Sequence, residues 1–146
     1  GIIRAWKQTL NDEGMKVSRQ FPAGTIALAI AANIADTAIV EFAFYCPDSV
    51  VGVAPRQALT NPEFLETCLR FYKPVLAAKA PMTAQRNINL QVLRPLTLPV
   101  PPLALQERFA LVRRKAQGTK GVLEAHATEA HRLFDSLAQR AVGGEL

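Results

Sequence analysis

Gln85, Arg86, Asn87 and Asn89 stand together as side chains suited to reading the edge of a nucleobase. A guanidinium presents a fork of donors that matches guanine O6 and N7, and a carboxamide offers the donor and acceptor pair that matches adenine N6 and N7. The four lie in a stretch without an acidic residue, between Glu66 and Glu107, that also holds Arg70, Lys73, Lys79 and Arg94. Counting Arg86, the five basic residues there equal the +5 formal charge of the whole chain. Arg70, Lys73 and Lys79 are the groups available to phosphates, whose contacts would hold the polar residues in register on double-stranded DNA. The same residues also fit a solvated polar loop in which Asn87 and Asn89 cap the turn or helix that follows.

Other chemistries find less support. Cys46 and Cys68 lack the close spacing of a metal site and are too few for a disulfide framework, so both read as small buried hydrophobes in a reducing, cytoplasmic protein. His126 and His131 are five apart and do not share a helix face, so no metal is expected. There is no phosphate-cradling glycine loop and no nucleophile elbow, and Gly24 and Gly52 stand alone. Asn61-Pro62-Glu63-Phe64 is similar to the Asn-Pro-Pro-Tyr/Phe loop of amino-methyltransferases but lacks the second proline, and a helix start accounts for all four residues. Asp12-Glu13 sits in a polar turn. Neither a catalytic residue nor a cofactor is expected.

The elements that position the polar group are of an ordinary globular kind. The chain has 146 residues, 49% of them hydrophobic and 20% charged, with Lys and Arg outnumbering Asp and Glu by 17 to 12 and a pI near 9.6. That balance permits a polyanionic partner without requiring one. The most apolar window, Thr25 to Val40, is shorter than the ~20 residues a bilayer needs and contains Asn33 and Asp36, so no membrane partner is expected. Gly1 in place of an initiating methionine reads as a trimmed chain or a piece of a longer one.

In chain order, Asn11-Asp12-Glu13-Gly14 reads as a turn. Phe21-Pro22-Ala23-Gly24 is a second turn, feeding a buried strand at Thr25 to Ile30. Ala38 to Tyr45 predicts the next strand and Ser49 to Val53 a third, pairing largely antiparallel because no helix separates them. Asn61 as N-cap, Pro62 at the first position and Glu63 in the first turn predict a helix with Phe64, Leu65, Cys68, Leu69, Tyr72 and Leu76 on one face, and Pro74 threatens its last turn. Lys79 to Asn89 reads as a polar loop. Beyond it Val92 to Leu98 turns apolar again, and Pro99 to Pro102 hold the chain extended.

From Pro101 to Val142 a single long helix is expected. Leu105, Phe109, Val112, Ala116, Thr119, Leu123, His126, Ala130, Leu133 and Leu137 follow one another in unbroken steps of four and three, the seam of a coiled coil. At about 1.5 Å per residue such a helix would be roughly 60 Å long, more than a small domain can cover, so it needs a second helix. Leu105, Phe109, Val112, Leu123, His126, Leu133 and Leu137 are the expected contact residues. The fold class is therefore α+β: a small, mainly antiparallel sheet with short helices over residues 1–100, followed by one long C-terminal coiled-coil helix over 101–146.

Several stretches carry a resemblance. Ala84-Gln85-Arg86-Asn87-Ile88-Asn89-Leu90, then Leu93 through Leu103 with its run Leu-Arg-Pro-Leu-Thr-Leu-Pro-Val-Pro-Pro-Leu, and then Gln106 resemble the specificity subunits of type I restriction-modification enzymes. Phe21 to Ile26, Asp48 to Val53 and Ala141 to Leu146 are similar to that family's proline-glycine turn and strand, its middle strand and the end of its conserved helix. Where the family has a glycine after the first strand, this chain has Ala35 or Asp36. The resemblance implies a non-catalytic target recognition domain that binds a DNA half-site. It also implies methyltransferase subunits as direct partners, a restriction subunit as an indirect one, and a second recognition domain or second copy paired through the helix. A structural adaptor whose coiled coil is its only function is the alternative, separated from the first reading by salt-sensitive DNA binding.

Overall fold

The computed structural model describes residues 1–81 and 87–144. Two compact units divide the chain, Gly1–Glu107 and Arg108–Leu146.

The first unit is built on a four-stranded sheet. Its strands are β1 (Ile2–Ile3), β3 (Ile26–Ala29), β4 (Thr37–Val40) and β6 (Val50–Val53), in the order β1-β4-β3-β6. β3 pairs antiparallel with β4 (Ile26 opposite Ile39) and with β6 (Ile26 opposite Val53), while β1 joins the far edge parallel to β4. The sheet is thus mainly antiparallel, as expected from closely spaced strands, with one parallel pair at its margin. A second sheet of two strands, β2 (Gln20–Phe21) and β5 (Phe44–Tyr45), pairs Phe21 with Phe44. Their rings stack with centroids 5.8 Å apart, and Gly52 of β6 lies against Phe21 so closely that a Cβ there would be 2.5 Å from the ring.

Three expectations are corrected. Ala38 to Tyr45 is not one strand: β4 stops at Val40, because β4 pairs with β1 and β3 whereas β5 pairs with β2. Asn11 to Gly14 is not a turn but the start of α1 (Asp12–Val17), since the Asn11 side chain accepts the Gly14 N–H at 2.8 Å, an N-cap. The helix that starts at Asn61 does not carry Leu76: it ends ahead of Pro74, as that proline threatened, and Pro74 lies in the first turn of a new helix, where it removes no hydrogen bond. α2 (Pro62–Phe71) ends, Tyr72 links, and α3 (Lys73–Ala78) begins.

α2 starts as expected. Asn61 Oδ1 accepts the N–H groups of Glu63 at 2.9 Å and Phe64 at 3.3 Å. Its inner face reaches the sheet through Leu69, which joins Ile26, Leu28 and Ile39 in one buried cluster. Ile34, Ala35, Leu76, Ala80 and Ile88 form the second, against which Val92, Leu93 and Leu96 pack. Ala35 is fully buried with φ of 63°, the left-handed conformation that favours glycine, at the place where the resemblance led one to look for one. Cys46 and Cys68 are free and half-buried, and burial pushes both thiols up from their ordinary pKa, a backbone hydrogen bond partly opposing this at Cys68.

The second unit is one helix. α5 spans Leu103–Val142, so its first turn belongs to the first unit, and it runs unbroken through Gly118 and Gly121. From Lys115 to Val142 every residue is exposed. Among the described residues no helix is long and apolar enough to cross a membrane.

Candidate nucleic-acid interface

The acid-free stretch covers the second half of α2, all of α3 and the short helix α4 (Leu90–Leu93). Its cations differ in what surrounds them. Arg70, exposed on α2, has Nη2 3.9 Å from Oε2 of Glu66, a fully buried carboxylate whose other oxygen accepts the Thr37 hydroxyl at 3.0 Å. Lys73, at the start of α3, pairs with Asp36. Lys79 is exposed at the C-terminal end of α3. Two of the three cations assigned to phosphates therefore already face a carboxylate, which sequence spacing did not reveal.

Gln85 and Arg86 lie outside the described residues. The chain after them is tied down by its backbone: Asn87 bridges to Ala31, and the Ile88 N–H donates to the Ile30 carbonyl at 2.8 Å. Ile88 is buried in the second core cluster while Asn87 and Asn89 are exposed, the alternation of an extended strand. The two asparagines thus face solvent on the same side. Asn89 Oδ1 accepts from the N–H groups of Gln91 at 3.0 Å and Val92 at 3.3 Å, so it caps α4. Its side-chain amide N–H groups have no such bond among the described residues.

A shallow cleft, wide open to solvent, lies beside this segment, with a volume of ≈ 450 Å³. Ile30, Val50 and Val51 supply apolar lining and Asp48, Gln91 and Arg94 polar lining. Neither Asp48 nor Arg94 forms a side-chain hydrogen bond or ion pair with any described group. Asp48 and Gln91 carried no sequence signal of a binding role: Asp48 lies in the turn before β6, far from α4 along the chain, and only the fold brings the two segments together.

On α5 the expected contact residues are open to solvent. Leu105, Phe109, Val112, Leu123, Leu133 and Leu137 all count among the exposed large hydrophobic residues, and His126 is exposed too. His131 turns its Nδ1 to the Ala127 carbonyl at 2.8 Å, away from any shared role with His126. No group of three or more metal-ligating side chains occurs among the described residues.

Comparison with known proteins adds two findings. Residues 5–111 match the family model described as "Type I restriction modification DNA specificity domain". The fold is similar to that of the crystal structure of the HsdS subunit from Thermoanaerobacter tengcongensis, with a TM-score of 0.57 and 20% sequence identity over 87% of this chain. The chain covers 31% of the length of that structure.

Proposed function

The chain belongs to the type I restriction-modification DNA specificity domain family, and from that premise we propose that it is a non-catalytic DNA recognition unit that holds methyltransferase and restriction subunits on a chosen sequence. The family match carries this reading. Beside it, the acid-free stretch supplies positive charge next to a solvent-facing polar edge at Asn87 and Asn89, reached directly from Gln85 and Arg86.

The mechanism is a division of labour. Lys79, and Arg70 and Lys73 with what charge their carboxylates leave them, fix the domain on phosphates. Gln85, Arg86, Asn87 and the amide NH2 of Asn89 read base edges in the groove. Methylation and cleavage belong to partner subunits. Selectivity is the task of this chain.

The long helix is the spacer. Its apolar seam lies exposed, and its charge is asymmetric: five basic and no acidic residues from Arg108 to Lys120, three acidic and two basic from Val122 to Val142. An antiparallel partner helix, from a second recognition domain or a second copy, sets the basic half against the acidic half, where a parallel one sets like against like.

The experiment is a titration of a fluorescent random-sequence duplex at several salt concentrations. Log affinity should fall linearly with log salt, with a slope of about −0.9 for each phosphate neutralised. Absence of DNA binding at low salt would leave only the adaptor reading. Light scattering should show two chains per particle, and a monomer at high concentration would remove the pairing of copies.

A further inference from the structure

We propose that the cleft between β6 and α4 is a second base-reading site, which takes the major-groove edge of a G·C pair: Arg94 donates to guanine and Asp48 accepts from the cytosine amino group. This rests on the DNA-recognition reading above.

The cleft is lined by one guanidinium and one carboxylate, and no ion pair joins them to each other or to another described group. Both side chains are exposed and, among the described residues, unpaired, so they are open to a ligand that offers an acceptor to one and a donor to the other. A phosphate does not, because Asp48 repels it. A G·C edge does, since guanine O6 and N7 accept and cytosine N4 donates side by side. Gln91 supplies a further donor and acceptor, and the half-buried Ile30, Val50 and Val51 form the apolar floor beside them.

The position supports the same conclusion. Asn89, which also lines the cleft, faces solvent on the same side as Asn87, so a duplex lying along that polar edge would continue past Arg94. The backbone holds both reading groups: the Arg94 N–H donates to the Leu90 carbonyl at 2.8 Å, and the turn carrying Asp48 is closed by the Val50 N–H donating to the Pro47 carbonyl at 2.9 Å.

The test is selection from a randomised duplex library with the whole chain, comparing wild type, Arg94→Ala and Asp48→Ala. Wild type should enrich a motif containing a G·C pair whose preference falls about tenfold or more in both variants, at the same position, while the other positions keep theirs. Unchanged motifs in both variants would overturn the proposal. So would a uniform loss with Arg94→Ala joined to a uniform gain with Asp48→Ala, the mark of a phosphate contact. Should an alanine variant fail to fold by its melting curve, Arg94→Met and Asp48→Gly remove the same donor and acceptor and give the same comparison. A wild type that enriches nothing defeats the DNA-recognition reading itself, an outcome distinct from an enriched motif that the variants leave intact.

Discussion

The Gln106 side chain is fully buried and accepts the backbone N–H of Asn61 through Oε1 at 2.9 Å. Its amide nitrogen donates to the Leu59 carbonyl at 3.0 Å and the Pro101 carbonyl at 2.7 Å. One side chain thus joins the cap residue of α2 to the first turn of α5. Gln106→Met keeps the volume but strands one donor and two acceptors, so it should destabilise the protein by about 3 kcal/mol. Urea unfolding measures this; a midpoint equal to wild type would show that water replaces the amide.

Gly52 is needed for what it lacks. In Gly52→Ala the new methyl group meets the Phe21 ring, itself held by stacking on Phe44 and by Arg19 lying 5.1 Å over its centroid. Overpacking of this kind should cost about 1–3 kcal/mol. A melting temperature lowered by several degrees is the expected result.

Lys73 is expected to matter less to DNA binding than its sequence position suggests, because Asp36 already faces it. Both side chains are half-exposed, so breaking the pair costs little stability. Asp36→Asn should leave the melting temperature nearly unchanged, raise affinity for random duplex and steepen its salt slope by up to about 0.9. An identical slope would place Lys73 away from the phosphates.

Gly118 and Gly121 fall between seam positions, and a Cβ at either meets nothing within 4 Å. Replacing both with alanine should therefore stabilise α5 by about 0.5–1 kcal/mol each through propensity alone, without changing the number of chains per particle. Circular dichroism and light scattering on the double variant test the two halves of that statement.

The thiols give a pH prediction. Burial raises the pKa of Cys46 and Cys68 in the folded chain, so the folded state holds these protons more tightly than the unfolded state does. The stability this contributes is present below the ordinary thiol pKa and is lost as pH rises through the raised folded values. Iodoacetamide should react more slowly with the native protein than with the urea-unfolded chain at pH 8, and unfolding should become easier above about pH 9. Equal alkylation rates would contradict the burial effect.

What the sequence revealed was what is local. Asn61-Pro62 announces α2 because cap and first-turn chemistry act over three residues, and α5 was legible because its period repeats along forty residues. β1 was not: two residues carry no pattern, and β1 exists only because β4 is there to pair with it. The break after Val40 likewise follows from which strands pair. At the candidate interface, Asn89 was expected either to read a base or to cap the following helix, and its carbonyl oxygen caps α4 while its amide end stays available. The ion pair of Lys73 with Asp36, and the cleft that brings Asp48 to Arg94, depend on contacts across the fold that no spacing in the sequence encodes.

The central claim is selective affinity for one DNA sequence, and competition binding with a library-enriched duplex against its scrambled counterpart tests it most directly. The enriched duplex should bind on the order of a hundredfold more tightly, as two good base contacts require, and Arg86→Ala should lose about 1–3 kcal/mol of that preference while keeping its affinity for the scrambled duplex. Equal binding of the two duplexes by wild type and variant alike would contradict the account.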